Sequence, residues 1–287
     1  KANTLRVEME NSDGLTRIGI DEISYKRGHK YLTVVVDHDT GRLVWAAPGR
    51  DRATLRSFFD QLGAERSAAI THVSADQADW IAEIVTERCP DAVQCADAFH
   101  IVKWATEALD EVRREAWNAA RRSGQTKGKG YGNRVATGDA RRLKDSRYAL
   151  WKNPDTLTER QTEKLAWIAK TDPRLHRAWL LKEALRYVFT IKGNAGKAAL
   201  DRWLSWARRC RIRAFVRLAR RVTAVRQRID ATLDHGLSNA LVESVITKIR
   251  LIARIAFGFR SPTALISLAM LSLGGHRPVL PGRTAHG

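Results

Sequence analysis

At 287 residues, 44% of them hydrophobic, the chain is long enough to bury a sizeable core in one large domain or two. Its 50 Lys and Arg against 31 Asp and Glu give a formal net charge of +19, which favours a polyanionic partner, nucleic acid ahead of an anionic membrane surface. No apolar run reaches the roughly 18 residues that a membrane span needs, and no signal-peptide pattern opens the chain.

Cys89, Cys95 and Cys210 lack Cys-x-x-Cys spacing. They argue against a disulfide framework and a structural zinc site, suit a reducing cytoplasm, and read as core or neutral positions. The first residue is Lys1 rather than Met, as in a fragment or a processed product.

From Arg17 to about Ala47 the pattern is strand-like: "RIGID", "KYLTVVVD" and "RLVWAAP", with turn chemistry at "KRGH" and "DHDTG". This predicts a three-stranded antiparallel meander whose first strand ends on Asp21 and Glu22. "DRATLRSFFDQLG" is a helix with Leu55, Phe58, Phe59 and Leu62 on one face and Gly63 as its stop. "AAITHVSAD" is a strand ending on Asp76, "DWIAEIVTERCP" a helix closed by Pro90, and "AVQCAD" a fifth strand ending on Asp97. The order β-β-β-α-β-α-β predicts an α/β fold with a mixed sheet flanked by helices.

Past His100 the signals are helical. A long amphipathic helix carries Trp104, Leu109, Val112 and Trp117, and residues 123–140, Gly-rich and basic, read as a mobile loop. Thr158 and Gln161 form a capping box at a helix start. Residues 202–228 read as an Arg-rich helix, with ten arginines and no acid over an apolar seam of Ile212, Phe215, Ala219, Val222 and Val225. Trp104, Trp151, Trp167, Trp179, Trp203 and Trp206 sit in helical patterns and read as core, though one of them could stack on a flipped base. The last stretch, residues 274–287, is Pro/Gly-rich and reads as a tail.

An acidic pair at a hairpin is ordinarily solvated, and Asp21–Glu22 taken alone would be read that way. Three strands of one sheet ending on Asp21, Asp76 and Asp97 change the reading. The first and fourth strands are expected side by side, bringing Asp21 and Asp76 together, and like charges that close are costly unless a cation neutralises them. Hard carboxylate oxygens favour Mg²⁺ or Mn²⁺, and two such ions serve phosphodiester cleavage.

A third carboxylate is expected from a later helix, and Glu243 in "LSNALVESVITKIRLIARIAFGFR" is the candidate. Ser238 or Asn239 would cap this helix, Leu241, Val245, Ile249 and Ile252 would form its buried stripe, and Glu243, Thr247, Arg250 and Arg254 would share another face. An ordinary solvated helix face is the bland alternative. Glu22 points to the opposite sheet face from Asp21, and His29 and His72 read as structural or surface positions.

The stretches "GIDEISYKRGHKYLTVVVD", "SADQADW", "DAFHIVKW", "ALDEVRR", "SNALVES" and "AFGFRSP" resemble, in order, the catalytic region of bacterial insertion-sequence transposases of the ISL-three family. The resemblance runs from about residue 19 to residue 262. It implies an RNase H-like fold and a DDE site in which Asp21 and Glu243 match the first aspartate and the glutamate. Asp76 matches the second aspartate, which strand order favours over Asp97, one strand further out. Asp97 and His100 match an Asp-x-x-His signature whose histidine contacts the scissile phosphate or flanking DNA.

The resemblance also implies Mg²⁺ or Mn²⁺ as cofactor, two ions, with double-stranded DNA (element ends and target) as partner, a homo-oligomer on DNA, and a cytoplasmic, nucleoid-associated bacterial protein. Residues 1–100 would begin the catalytic domain, 101–235 would be a helical insertion, and 236–287 would complete the domain and form the tail. Arg213, Arg217, Arg220, Arg250 and Arg254 are the candidate phosphate contacts.

Two departures stand out. Ile246 occupies a position where the family carries Asn, and the family's upstream zinc-binding and helix-turn-helix segments have no counterpart here. The expected activity is metal-dependent strand cleavage at element ends and transfer into target DNA. The alternatives are a catalytically impaired DNA-binding relic and an RNase H-like structure-selective nuclease.

Overall fold

The computed structural model describes residues 14–26, 28–76, 78–126, 131–237 and 239–275, with backbone alone at 124–126 and 131–137. Ser238, the residues from 276 onward and the segment 127–130 therefore lie outside the described residues. The chain divides into two compact units, one of residues 1–97 and 237–287, the other of residues 98–236.

The first unit is built on a five-stranded sheet. Its elements are β1 (Arg17–Lys26), β2 (Lys30–Asp37), β3 (Leu43–Pro48), α1 (Arg52–Leu62), α2 (Ala64–Ala68), β4 (His72–Ala75), α3 (Asp79–Arg88) and β5 (Val93–Ala96). The strand order is β3-β2-β1-β4-β5, with β1–β2 and β2–β3 antiparallel and β1–β4 and β4–β5 parallel. The expected mixed sheet is present, with β1 and β4 adjacent.

The first strand does not end at Asp21. It runs to Lys26 because its ladder with β2 continues through Glu22↔Thr33 and Ser24↔Tyr31, while its parallel ladder with β4 stops at Ile20↔Ala75. Asp21 thus stands where β1 loses one of its two neighbours.

Alternation along the strands sends side chains to two cores. Ile18, Ile20, Val35 and Val73 meet Leu55, Phe58 and Phe59 of α1 and Ile81, Ile84 and Val85 of α3 on one face. Burying a phenylalanine completely, as at Phe58, is worth roughly 1.5–3 kcal/mol. The other face, with Ile23, Leu32, Val34 and Val36, is covered by the two helices that return after the second unit, called α12 and α13 below. "VVV" in β2 is therefore a strand buried on both faces.

The second unit is all-helical: α4 (Ala98–Thr126), α5 (Tyr131–Asp145), α6 (Arg147–Trp151), α7 (Glu159–Thr171), α8 (Pro173–Val188), α9 (Gly193–Arg209), α10 (Arg213–Ala224) and α11 (Arg226–His235). The chain then rejoins the first unit through α12 (Ala240–Ile255) and α13 (Pro262–Leu273). α4 packs against α5, α8 and α10. The capping box is in place at α7, where the Thr158 backbone N–H donates to Gln161 Oε1 at 3.0 Å. Trp203 Nε1 donates to the Leu181 carbonyl at 2.8 Å and ties α9 to α8.

Two expectations need correction. Residues 123–126 and 131–140 are helical rather than a loop: they end α4 and begin α5, whose Ala140 and Leu143 are buried. A glycine inside a helix, such as Gly138, costs only about 1 kcal/mol, and packing overrides it. The Arg-rich run at 202–228 is not one helix. It breaks at Cys210–Ile212, where Arg211 takes φ 60, and again at Val225.

All three cysteines are buried. Burial raises the Cys89 and Cys95 thiols to about 11, as expected of core positions rather than reactive ones.

Candidate active site

The parallel strands share the rung Ile20–Ala75–Ala96. The next residue on each strand's path is Asp21, Asp76 and Asp97, so the three aspartates stand in a row where the parallel ladder ends, on backbones spaced by the roughly 4.8 Å of neighbouring strands. Asp21 and Asp76 are half-buried and Asp97 is buried. Asp21 Oδ1 accepts from the Glu22 backbone N–H at 2.6 Å.

Alternation also decides which way they face. Asp21 shares its side of β1 with Gly19 and Ile23, and Asp76 shares its side of β4 with Ser74. This is the side on which α12 packs: Ile23 lies in the core with Val242, Val245, Ile246 and Ile249, and Ser74 Oγ donates to Asn239 Oδ1 at 2.5 Å.

Gly19 is what lets α12 come so close. A Cβ built there would fall under 3 Å from both Val242 and His38. Glu243 follows Val242, half-buried, so the candidate glutamate rides on the helix that packs on β1 and is tied at its start to β4 through Asn239.

A network with no motif in the sequence holds this arrangement. His38 Nε2 lies 2.7 Å from Ser74 Oγ. Since the Ser74 hydroxyl hydrogen goes to Asn239, the imidazole donates from Nε2. Burial, with the Arg17 cation nearby, lowers its pKa below the usual histidine range and so favours the neutral form. Asn239 is 2% exposed, and its backbone carbonyl accepts from the Glu243 N–H at 2.8 Å. Its side chain makes no cap hydrogen bond. Instead of the expected cap, Asn239 pins the start of α12 to β4. The sole sequence trace of this role is the Ser-Asn pair just before the helix.

The buried stripe of α12 also differs from expectation. It is Val242, Val245, Ile246 and Ile249, whereas Leu241 is 37% exposed. Ile246, at 3% exposure, is a core residue opposite Ile23 and Val34, so an asparagine side chain there would enter an apolar core rather than the carboxylate edge. Arg250 and Arg254 are exposed on the Glu243 side of the helix and line a cavity of about 360 Å³ with Ser24 and Tyr25.

Glu22, on the opposite face, pairs with Arg50 at 2.9 Å. His100 lies in the first turn of α4, in the helical unit, half-buried and edge-to-face with Phe99. Among the described residues, no three of His, Cys, Asp or Glu are already gathered closely enough to hold a metal ion.

The basic candidates on α10 separate as well. Arg213, Arg217 and Arg220 share one exposed face, but Arg217 Nη2 pairs with Glu111 at 2.6 Å, and that carboxylate raises its pKa. Arg221 stacks 3.5 Å over Trp104, and Arg226 pairs with Asp201 and Asp230. The run lacks acids of its own and takes them from neighbouring segments. Arg213 and Arg220 form no ion pair among the described residues.

A family model described as Transposase, that of the ISL3-type DDE enzymes, matches residues 18–269. The chain belongs to this family. It is 69% identical over 280 residues to the transposase for insertion sequence element IS1557 of Mycobacterium tuberculosis, from strains CDC 1551 / Oshkosh and ATCC 25618 / H37Rv. That alignment covers 95% of this chain and 63% of the relative. It is also 29% identical over 245 residues to the transposase for insertion sequence element IS1001 of Bordetella parapertussis, covering 85% of this chain and 57% of that protein. The chain thus spans about three-fifths of the length of the curated relatives it matches. Among the described residues, no helix is long and apolar enough to cross a membrane.

Proposed function

We propose that this chain is the catalytic part of a DNA transposase with an RNase H-like fold, cutting a strand at insertion-sequence ends and joining the freed 3′-hydroxyl to target DNA. The observation that carries this reading is the shared rung Ile20–Ala75–Ala96, which sets Asp21, Asp76 and Asp97 in a row, with the helix bearing Glu243 packed on the Asp21 strand. The 145 residues between Asp97 and Glu243 then form a helical insertion.

Asp21, Asp76 and Glu243 are an all-oxygen donor set suited to Mg²⁺ or Mn²⁺, two ions in this reading. Bound ions supply polarisation of the phosphate and a lowered pKa for the attacking water. Like charges repel, so carboxylates that share one edge close on each other only around a cation. Asp97, buried one strand further out, positions rather than coordinates. His100, Arg250 and Arg254 take DNA phosphates, and the protein works as a homo-oligomer on DNA.

The test is an end-joining assay. With a duplex carrying the element end and flanking DNA, 5′-labelled on the strand that is cut to give the 3′-hydroxyl, a supercoiled plasmid and Mg²⁺, the label is expected to become covalently attached to the plasmid. A labelled strand that is cut and never joined would favour the structure-selective nuclease instead. EDTA is expected to abolish both products.

Duplex binding through α10 is measured separately. Arg213→Ala with Arg220→Ala should weaken binding to all sequences alike and reduce the salt slope by about two phosphate contacts. Arg217→Ala should change the slope less, because Arg217 is held by Glu111. A double variant with the parental salt slope would move the grip away from α10.

A further inference from the structure

The helical unit contains a cavity of about 790 Å³ that the proposed cleavage chemistry does not use. It lies among the first turns of α4, α6 and the C-terminal end of α8, and its aromatic lining is Phe99, Trp151 and Phe189. Phe99 leaves 56% of its surface in water, an unfavourable state for a flat apolar ring on a cavity wall. Trp151 adds its ring to the wall, while its Nε1 has no solvent-accessible surface and so offers no donor to the cavity.

The charge around these rings is mainly of one sign. Lys103, Arg114, Arg147 and Arg186 line the cavity against Glu107 and Asp110. Asp110 is already engaged by Arg113 and Arg114, and Arg186 by Glu183. Lys103 and Arg147 form no ion pair among the described residues. The Arg147 guanidinium rests 3.9 Å from the Trp151 ring centroid.

Flat rings and cations outside any ion pair at one cavity suit a ligand with a planar body and a phosphate attached. A nucleobase in DNA has both, and a volume of this size falls in the range of about 300–1,000 Å³ typical of small-molecule sites. We propose that this cavity receives a nucleobase unstacked from DNA, with Phe99 supplying a stacking face and an adjoining phosphate held by Lys103 and Arg147. The proposal rests on the DNA-processing reading above, since that reading supplies the ligand.

The experiment uses the 287-residue chain and two otherwise identical duplexes, one fully paired and one with a single unpaired 2-aminopurine. Base–aromatic stacking predicts roughly tenfold tighter binding of the unpaired-base duplex, with a change in 2-aminopurine fluorescence on binding. Phe99→Ala, at an exposed position where the fold is not at risk, should remove most of that preference and leave affinity for the paired duplex unchanged. Lys103→Ala with Arg147→Ala should weaken binding of the unpaired-base duplex more than the paired one. Trp151→Phe keeps a ring on the wall, so it should keep most of the preference.

If the parent binds both duplexes equally and the fluorescence does not respond, the base site is wrong while the DNA-processing reading stands. If the preference is present but survives both Phe99→Ala and the double cation variant, the base is held elsewhere and this cavity is overturned. If neither duplex binds, the DNA reading fails, and this proposal fails with it.

Discussion

Asp21→Ala, Asp76→Ala and Glu243→Ala are each expected to lower Mg²⁺-dependent strand cleavage by about 10³-fold or more, which corresponds to roughly 4 kcal/mol of lost transition-state stabilisation. Thermal unfolding without metal should stay close to the parent's or rise. Removing one of several neighbouring carboxylates relieves repulsion and breaks no core packing. Asp97→Asn should cost less, about 10- to 100-fold, as befits a group that orients others.

The pairing register gives the reason for the ranking. Asp21 and Asp76 follow the rung shared by the two central strands, and both face α12, whereas Asp97 belongs to the strand beyond. Gel analysis of end-labelled DNA beside circular-dichroism melting separates chemistry from folding. Full activity in Asp76→Ala together with an inactive Asp97→Asn would reverse the assignment of the second aspartate.

Gly19→Val is the second large effect, and it acts through packing. Gly19 pairs with Val36 on one side and Ser74 on the other, with Val242 of α12 directly over it. A Cβ there would collide with the Val242 side chain and with the His38 imidazole that donates to Ser74. Overpacking of this kind costs about 1–3 kcal/mol, or a melting temperature lower by roughly 3–10 °C.

The effect on cleavage should exceed the loss of folded protein, because a displaced Val242 carries Glu243 away from the strand ends. Gly19→Ala should show a milder form, and Val242→Ala added to it should restore part of both stability and cleavage, as coupled neighbours do. A Gly19→Val protein that melts and cleaves like the parent would mean that α12 does not seat on β1 through this glycine.

The sequence alone was enough for whatever rests on local periodicity and local hydrogen bonding. The five strands, the helices over Arg52–Leu62 and Asp79–Arg88, the Thr158 cap and the apolar seam from Ile212 to Val225 are legible in the residues themselves. Alternation and the 3.6-residue repeat record which side of an element is buried, and the aspartates at successive strand ends were visible for that reason.

The sequence could not say that β1 runs on to Lys26, because the extension depends on a ladder with β2 that outlasts the one with β4. Nor could it say that Ile246 belongs to a core formed with strands more than 200 positions earlier. The arginines of 202–228 looked unopposed because their carboxylates lie outside the run, Glu111 being 106 residues from Arg217. The link from His38 through Ser74 to Asn239 spans three distant segments, none of which has a local reason to be polar. Contacts of this kind leave no periodic trace, since their energy comes from desolvation and pairing between segments that meet only when the sheet and helices close on one another.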